Sequence, residues 1–445
     1  MTPFEKTGGL ADVAGSLPLA LGRLGIKTLV LMPKYRNVPF TKKKLSENVT
    51  IRFIKQEEFF NRASLYGNEK GDYADNLERF SFFCNEALHL CKETGFKPDV
   101  VHAHDWQTAL LPVLLKVKLA KDPFFNNARS VLTVHNIAYQ GQFSARRYEA
   151  LGLDPELFSM EGFEFFGKIN LLKAGLLYAD AITTVSPTYA QEIQTRDFGF
   201  GLEGVVHKRA GRLRGILNGL DYGVWNPAKD GAIRETYSWK DLEGKKLCKS
   251  ALQKRCHLEV NKDIPIFGMV TRLAEQKGMD ILSEICDEFL SQNAQFVLLG
   301  EGDRVYHTTF RNVAARHPHN AAVFLGFNAA EAHSIYAGAD FFLMPSYFEP
   351  CGLGQVIAMK YGALPIVRAT GGLKDTVIDA NFPRANGFVF KEPSPEKLLE
   401  TIRRAMAIFE DKKKLALLRK TAMKADFSWD ESAREYVKLY KEITS

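Results

Sequence analysis

Two basic side chains, Arg272 and Lys277, follow an apolar run in the segment TRLAEQKG (271–278). If that run is a strand, both cations stand just beyond its carboxyl end. Two fixed cations there can hold a diphosphate without a metal ion, and each charge-assisted hydrogen bond contributes roughly 1.5–3 kcal/mol. As a lone motif the pair is more often surface charge, so its meaning depends on what lies beside it.

The segment PSYFEPCGLGQVIAMKYG (345–362) combines a carboxylate with a glycine-rich helix start. Glu349 can accept hydrogen bonds from sugar hydroxyls. Cys351 could be read as a nucleophile, but no partner base lies near it in the sequence. Free N–H groups and the helix dipole favour a phosphate at the start of the helix. The amides concerned are those of Gly352, Leu353 and Gly354.

Two further Gly-Gly turns precede helical stretches. RATGGLKDTV (368–377) is predicted to supply a second set of free amides, at Thr370, Gly371 and Gly372. KTGGLADV (6–13) places Lys6 just before Gly8 and Gly9, a turn that can aim N–H groups at an anion. Such turns normally follow a buried strand, so we expect the first strand of the fold to be missing before this one.

The segment HAHDW (102–106) and the segment VHN (134–136) place histidines at the ends of apolar runs. In HAHDW, the two rings of a His-x-His strand share one face, which would suit half of a metal site. No second cluster with ligand spacing accompanies it, so no metal is expected. Asp105 is expected to cap the helix predicted over 105–119, which leaves a ligand-facing role open. His135 precedes a glycine-containing loop, which favours a functional role over a scaffold one.

Each of these motifs stands in a chain that alternates short Val/Ile/Leu-rich runs with helical stretches. The helical stretches include 75–94, 105–119 and 165–178. Such alternation predicts an α/β fold with parallel sheets covered on both faces. Ligands of such sheets bind outside the carboxyl ends of the strands, where the polar motifs stand. The Gly/Pro/Asn/Asp-rich segment 218–231 is expected to be the hinge between two Rossmann-like domains.

Composition narrows the function classes. The 59 basic and 52 acidic residues permit an anionic ligand without demanding nucleic acid, and no apolar run is long enough to span a bilayer. Six scattered cysteines suit a reduced, cytoplasmic protein. The sequence GFGLEG (199–204) lacks the preceding strand that a dinucleotide fingerprint needs. Neither a Walker-type phosphate loop nor a G-x-S-x-G elbow is present, which argues against NTPases and serine hydrolases.

Taken together, the motifs resemble those of bacterial-type glycogen and starch synthases. The resemblance rests on KTGGLADV, HAHDW, VHNIAYQGQF, GILNGLDYGVWNP, TRLAEQKG, FEPCGL and TGGL, and extends through YGNEKGDYADNLERFSFF (66–83). It implies a GT-B architecture, two Rossmann-like domains facing a cleft. It further implies retaining transfer of glucose from ADP-glucose, or UDP-glucose, to the 4-OH end of an α-1,4-glucan such as glycogen, with no metal or other cofactor. The alternatives are a different nucleotide-sugar donor or a catalytically impaired glucan-binding protein.

The resemblance also implies domain bounds and roles. Residues 1–219 would form the acceptor-side catalytic domain and 220–445 the nucleotide-sugar-binding domain, with 428–445 crossing back to the first. The residues expected to be catalytic are Asp105, His135, Arg272, Lys277 and Glu349. The donor would be bound by Lys6, Gly8, Gly9, Asp12, Asn218, Phe327, Cys351, Gly352, Leu353, Gly354, Thr370, Gly371 and Gly372, and the acceptor side lined by Tyr66 and Asn136.

The chain departs from the family pattern around these residues. Besides the first strand, Tyr347 stands where Arg is common, and Phe327 where a Tyr often stacks on the base. Gly354, Val356 and Ile357 replace a polar residue, Leu and Tyr, which changes the detail of the expected phosphate contact.

Overall fold

The computed structural model describes residues 1–2, 4, 8–68 and 71–445. Lys6, expected to contact the donor, lies outside these residues. The chain divides into two compact units, Met1–Gly219 with Trp429–Ser445, and Leu220–Ser428. Within the described residues, no helix is both long and apolar enough to cross a membrane.

The described residues of the first unit form short strands in four sheets. A parallel sheet has the order β12-β11-β7-β6, and a second sheet has the order β1-β3-β2. The strands of the unit are β1 (Thr28–Pro33), β2 (Lys42–Lys44), β3 (Val49–Ile54), β4 (Gly67–Asn68), β5 (Gly71–Asp72), β6 (Val100–His104), β7 (Arg129–Val134), β8 (Gln142–Ser144), β9 (Glu164–Phe165), β10 (Lys168–Asn170), β11 (Ala181–Thr184) and β12 (Leu213–Gly215).

Strands β1 and β6 are sheet edges in the part of the chain that the structure describes. Strand β1 pairs only with β3, and β6 only with β7. Most of their side chains are half-buried, whereas those of β11, which pairs on both sides, are fully buried. The motif HAHDW therefore begins on an edge strand of the parallel sheet.

Helices of the first unit follow the strands as the alternation predicts. They are α1 (Gly9–Arg23), α2 (Glu57–Phe60), α3 (Asn76–Glu93), α4 (Asp105–Thr108), α5 (Leu110–Val117), α6 (Leu171–Tyr178), α7 (Pro187–Glu192) and α8 (Glu203–Lys208).

Two predicted helices differ from the structure. The helix expected over 105–119 is broken at Ala109, because Pro112 has no N–H to give the carbonyl four residues earlier. The helix expected over 165–178 begins only at Leu171. Its first part is the hairpin β9–β10, whose two-residue turn holds Phe166 and Gly167 at φ 48° and 75°. Both positive φ values are those of a type I′ turn.

The C-terminal helix (Trp429–Thr444) belongs to the first unit. Its buried residues, Trp429, Ala433 and Tyr436 among them, share a core with Val13 and Leu17 of α1. The hydroxyl of Ser432 donates to the carbonyl of Leu217 at 2.6 Å. A Cβ on Gly219 would lie 2.4 Å from the Cα of Trp429, so only glycine permits this approach.

The second unit is built on one parallel sheet of six strands, in the order β15-β14-β13-β16-β17-β18. Its strands are β13 (Ile266–Leu273), β14 (Gln295–Gly302), β15 (Ala321–Leu325), β16 (Phe341–Met344), β17 (Leu364–Arg368) and β18 (Phe388–Phe390). Its helices are α9 (Glu243–Arg255), α10 (Met279–Leu290), α11 (Arg304–Arg316), α12 (Ala329–Gly338), α13 (Gly354–Lys360), α14 (Gly371–Thr376), α15 (Pro395–Glu410) and α16 (Lys412–Lys424).

This strand order is that of a dinucleotide-binding Rossmann sheet, in which the direction of winding reverses between the first and the fourth strand. Here the reversal lies between β13 and β16, which pair at Phe267↔Phe341 and Gly268↔Phe342. The predicted α/β class with parallel sheets is confirmed. A crevice forms at such a reversal. Arg272 lies near the end of β13 and Lys277 follows that strand, while Pro345–Glu349 follow β16.

Candidate active site

In the second unit the predicted cations stand at the reversal point of the sheet. Arg272 lies near the end of β13, and Lys277 closes the one-turn helix Glu275–Lys277 that follows. The ammonium of Lys277 lies 2.5 Å from Oε2 of Glu349, 72 residues along the chain, and both side chains are at most 14% exposed. The structure therefore joins two predicted catalytic residues in one ion pair.

The loop that carries Glu349 is held at several points. The hydroxyl of Ser346 donates to Glu349 Oε2 at 3.3 Å, and that of Tyr347 donates to Asp280 at 2.7 Å. The guanidinium of Arg368 donates to the carbonyls of Ser346 and Tyr347. Tyr347, noted as a departure from the family, thus ties the loop to α10.

Gln276 links Arg272 to this loop, and sequence reasoning missed it. Its side-chain oxygen accepts from Arg272 at 3.3 Å, while its amide nitrogen donates to the carbonyl of Phe348 at 3.1 Å. Its position between Arg272 and Lys277 was the signal available. Arg368, at the carboxyl end of β17, was also missed, although a basic residue at a strand end could have been weighed.

The amides at the start of α13 behave as predicted. Those of Gly352, Leu353 and Gly354 make no hydrogen bond to any residue that the structure describes. Gly352 has a φ of 71°, and a Cβ there would lie 2.5 Å from Gln355 Oε1. Gln355 closes the turn by donating to the carbonyls of Cys351 and Gly352.

The Gly-Gly turn before α14 does not behave as predicted. The amide of Gly372 donates to the carbonyls of Glu349 and Pro350, and that of Thr370 to Arg368. The expectation of free amides at these two positions is therefore wrong. A Cβ on Gly371 would lie 2.0 Å from the carbonyl oxygen of Glu349, and one on Gly372 2.1 Å from that of Cys351. The glycines instead let this turn pack against the Glu349 loop.

Two other expected donor contacts differ in exposure. Cys351 is buried, and Phe327, in the turn after β15, is 84% exposed. An exposed ring is free to stack on a base, whereas the thiol is held in the loop beside Glu349.

In the first unit, Asp105 lies where β6 ends. Its φ is 53°, a left-handed conformation that a non-glycine residue adopts at a cost. The cap of α4 is His104, and the Asp105 carboxylate accepts the backbone N–H of His135 at 2.6 Å. The prediction that Asp105 caps its own helix is wrong, because the left-handed backbone turns the side chain toward the end of β7.

Burial disfavours the ionised form of the Asp105 carboxyl group. Desolvation raises the pKa of Asp105 to about 7, and the backbone N–H groups of His135 and Asn136 oppose this rise by stabilising the ionised form. Burial, and then the charge of Asp105, also raise the pKa of Tyr66 to about 12. His135, Asn136 and Tyr66, all predicted site residues, therefore lie within electrostatic reach of Asp105.

The loop after His135 is fixed by side-chain acceptors. The amide of Ile137 donates to the hydroxyl of Tyr189 at 3.1 Å, and the amide of Ala138 donates to the side-chain oxygen of Asn136 at 3.0 Å. Gly141 has a φ of 63°, and a Cβ there would meet the Trp106 ring. Tyr189 and Trp106 therefore act as supports that the sequence did not identify.

The other predicted residues of the first unit that the structure describes are Gly8, Gly9, Asp12 and Asn218. Gly8 caps α1 and Gly9 begins it, and a Cβ on either would meet no atom of a described residue within 4 Å. Asp12, in the first turn of α1, accepts the hydroxyl of Thr2 at 3.2 Å. Asn218 is 9% exposed, and its buried side-chain oxygen makes no hydrogen bond to a described residue.

Among the described residues, no group of three or more His, Cys, Asp or Glu side chains has an arrangement that could hold a metal ion. The rings of His102 and His104 stack on each other, with centroids 4.3 Å apart.

The chain matches two family models, the starch synthase catalytic domain over residues 1–208 and the glycosyl transferases of group 1 over residues 253–424. It is 45% identical to a glycogen synthase from Syntrophotalea carbinolica, covering 99% of this chain and 96% of that protein. The chain belongs to the bacterial glycogen and starch synthase family. This glycosyltransferase is also 44% identical to a glycogen synthase from Geotalea uraniireducens over 99% of its length and 96% of the relative's.

Among solved structures, this family member is similar to the catalytic domain of starch synthase IV from Arabidopsis thaliana, bound to ADP and acarbose. The TM-score is 0.91 at 34% identity, with 100% of this chain and 97% of that chain covered. A sucrose-phosphate synthase from Thermosynechococcus elongatus shares the fold at 18% identity, with a TM-score of 0.64 and 98% and 94% of the two chains covered. The predicted GT-B class and the predicted family are therefore confirmed.

Proposed function

We propose that this protein transfers glucose, with retention of configuration, from ADP-glucose to the 4-OH at the end of an α-1,4-glucan, and so extends glycogen. The observation that carries the proposal is the Lys277–Glu349 ion pair at the reversal point of a Rossmann sheet, in a chain of this family. It joins a cation, which we assign to the diphosphate, to a carboxylate, which we assign to the sugar hydroxyls.

The second unit supplies the groups for the leaving diphosphate. As the bond between the anomeric carbon and the phosphate oxygen breaks, negative charge grows on the nucleoside diphosphate. Arg272, Lys277 and the open amides of 352–354 are fixed charges and dipoles suited to that charge. Glu349 Oε2 is held by Lys277 and Ser346, and we assign its carboxylate to the glucose hydroxyls. Phe327 would stack on the base.

The same unit holds further residues that we assign to the donor side, and the first unit adds others. In the second unit these are Cys351, Thr370, Gly371 and Gly372. Gly372 would contribute by letting its turn pack against the Glu349 loop. In the first unit they are Lys6, Gly8, Gly9, Asp12 and Asn218, where the open space beside Gly8 and Gly9 suits close approach of a phosphate to the helix start.

The first unit supplies the groups for the transferred sugar and the acceptor. The anomeric carbon becomes cation-like, and the Asp105 carboxylate and the backbone around His135 offer oxygens that stabilise it. Retention without a carboxylate nucleophile implies attack by the acceptor on the face from which the diphosphate leaves. The new bond joins the acceptor oxygen to the anomeric carbon, and the acceptor proton passes to the departing phosphate oxygen. We assign Asn136 and Tyr66 to the acceptor side.

The test is incorporation of labelled glucose into glycogen by the purified protein, with ADP-glucose and UDP-glucose compared. We expect transfer from ADP-glucose, and Lys277→Ala or Arg272→Ala should lower the turnover at least about a hundredfold, as for the loss of a charge-stabilising donor. Lys246→Ala is the matched control, because that lysine is 69% exposed on α9 and paired only with Glu243.

Three other results of this assay would each contradict a different part of the proposal. An unchanged rate in both variants would remove the diphosphate assignment. Transfer from UDP-glucose alone would show that the donor is UDP-glucose and not ADP-glucose. A protein that binds glycogen but transfers from neither nucleotide sugar would be a glucan-binding relative that has lost catalysis.

A further inference from the structure

The two histidines of HAHDW have no role in the proposed chemistry, yet they are linked to His135. On β6, residues 102 and 104 point to the same face, because side chains alternate along a strand. Nδ1 of His104 lies 3.1 Å from Nε2 of His135. His102 stacks on His104 and is itself held at both nitrogens, with Nδ1 2.7 Å from the hydroxyl of Tyr440 and Nε2 2.6 Å from that of Thr133.

All three rings are neutral near pH 7. Desolvation lowers the pKa of His104 to about 4, and it lowers those of His102 and His135 well below their usual value. The other titratable groups that face them are Asp105, with a pKa of about 7, and the hydroxyls of Tyr436 and Tyr440; burial raises the pKa of Tyr440 well above its usual value, so its hydroxyl keeps its proton. A neutral imidazole carries one proton, so one ring donates and the other accepts in the His104–His135 hydrogen bond, and the tautomer of each ring is coupled to that of the other.

The bond also decides which atom of His135 remains for a ligand. Nε2 is occupied by His104, and Nδ1 makes no hydrogen bond with the described parts of the chain. We infer that His104 is a positioning residue that holds the His135 ring by Nε2, so that Nδ1 of His135 meets a hydroxyl of the transferred sugar. His102 supports His104 by stacking, and the C-terminal helix supports His102 through Tyr440. The inference rests on the proposed glucosyl transfer for its catalytic consequence, but not for the hydrogen bond itself.

Three substitutions at one position separate a hydrogen-bonding role from a packing role. In His104→Asn the side-chain amide places a nitrogen near the position of Nδ1, whereas in His104→Gln it lies one bond further out, near that of Nε2. His104→Phe keeps the ring volume and the stack on His102 but has no hydrogen bond to give. A positioning role predicts that Asn keeps the turnover within about threefold, while Gln and Phe lower it about tenfold with little change in KM for donor or glucan.

A packing role predicts the reverse order, because Phe fills the site and Asn leaves a cavity. Turnover in which Phe equals or exceeds Asn therefore overturns the inference. Tyr440→Phe is a second test at the far end of the network. It removes one hydroxyl while it keeps the packed ring, and we expect a loss of about twofold to threefold.

A measurement that needs no activity is the nitrogen NMR spectrum of protein labelled with 15N-histidine. The Nε2 signal of His135 should move in His104→Phe and remain near its wild-type position in His104→Asn. An unmoved signal in both variants means that the hydrogen bond is absent and refutes the inference. If the wild-type protein transfers no glucose, this spectrum still decides the hydrogen bond, so the two failures are distinguishable. Folding of each variant is checked by its thermal transition.

Discussion

Replacing Asp105 with Asn should make the protein more stable and less active, with a difference that depends on pH. The wild-type carboxyl is buried beside the end of β7, where it accepts the N–H of His135 at 2.6 Å. Asparagine keeps the shape and an acceptor oxygen for that N–H but never ionises. The variant therefore isolates the energetic cost of a buried charge.

The size of the stability difference between the variant and the wild type follows from the pKa of Asp105. Burial raises it from 3.8 to about 7, and each unit is worth about 1.4 kcal/mol, so the full effect is about 4 kcal/mol. An acid with a raised pKa keeps its proton longer in the folded state than in the unfolded one. Its contribution to stability is fully present below pH 3.8 and is lost as the pH rises through about 7. The advantage of Asp105→Asn should therefore grow between pH 4 and pH 8.

The assay is urea unfolding at several pH values, followed by tryptophan fluorescence, in which the buried Trp106 reports on the first unit. Asp122→Asn is a control of opposite sign. The hydrogen bond from Lys92 lowers the pKa of Asp122, so that carboxylate stabilises the fold above its ordinary pKa and loses this effect as the pH falls. An Asp105→Asn advantage that is absent at pH 8, or equal at pH 4 and pH 8, would refute the reasoning.

The same variant tests the role of the charge in the reaction. If the ionised carboxylate stabilises the cation-like sugar, wild-type turnover should fall as the pH drops through about 7, since that is where Asp105 gains its proton. The residual turnover of Asp105→Asn should lack this limb. A limb of unchanged position in the variant would assign it to another group.

Three shorter predictions concern glycines, a strained turn and metal ions. Gly372→Ala should lower the free energy of unfolding by about 1–3 kcal/mol, because its Cβ would lie 2.1 Å from the Cys351 carbonyl oxygen. Gly8→Ala, whose Cβ would have no atom of a described residue within 4 Å, should change it by less than about 0.5 kcal/mol. Phe166→Asn should raise the melting temperature, because Asn suits the left-handed φ of 48° in a type I′ turn better than a bulky ring; a lower value would contradict the strain argument. Glucosyl transfer should proceed at full rate in EDTA, and loss of activity restored by a divalent cation would revive the metal interpretation of HAHDW.

The sequence predicted the α/β class because helix and strand patterns are local. The alternation of apolar runs with helical stretches is visible without any contact between distant residues. Errors arose where one residue broke a local pattern, as Pro112 does in the 105–119 helix. The hairpin turn at Phe166-Gly167 was missed because its first residue, Phe, is rare at a positive φ.

The sequence also placed the polar motifs at strand ends, but it could not say how each would be used. The amide of Gly372 has the same local signature as those of 352–354, yet it is bonded to the carbonyls of Glu349 and Pro350. The local sequence predicts that Asp105 caps a helix, but its carboxylate instead accepts the N–H of His135. Both outcomes depend on segments that approach from elsewhere in the chain, so no local pattern reports them.

Local patterns along the chain are enough to show which residue types stand at the carboxyl ends of the strands, and the order of the motifs is enough to identify the family. The tertiary structure alone decided that Lys277 pairs with Glu349, that His104 reaches His135, and that burial moves the pKa of Asp105 to about 7. The physical reason is that strand and helix formation depends on neighbours in sequence, whereas ion pairs, ring contacts and desolvation depend on neighbours in space.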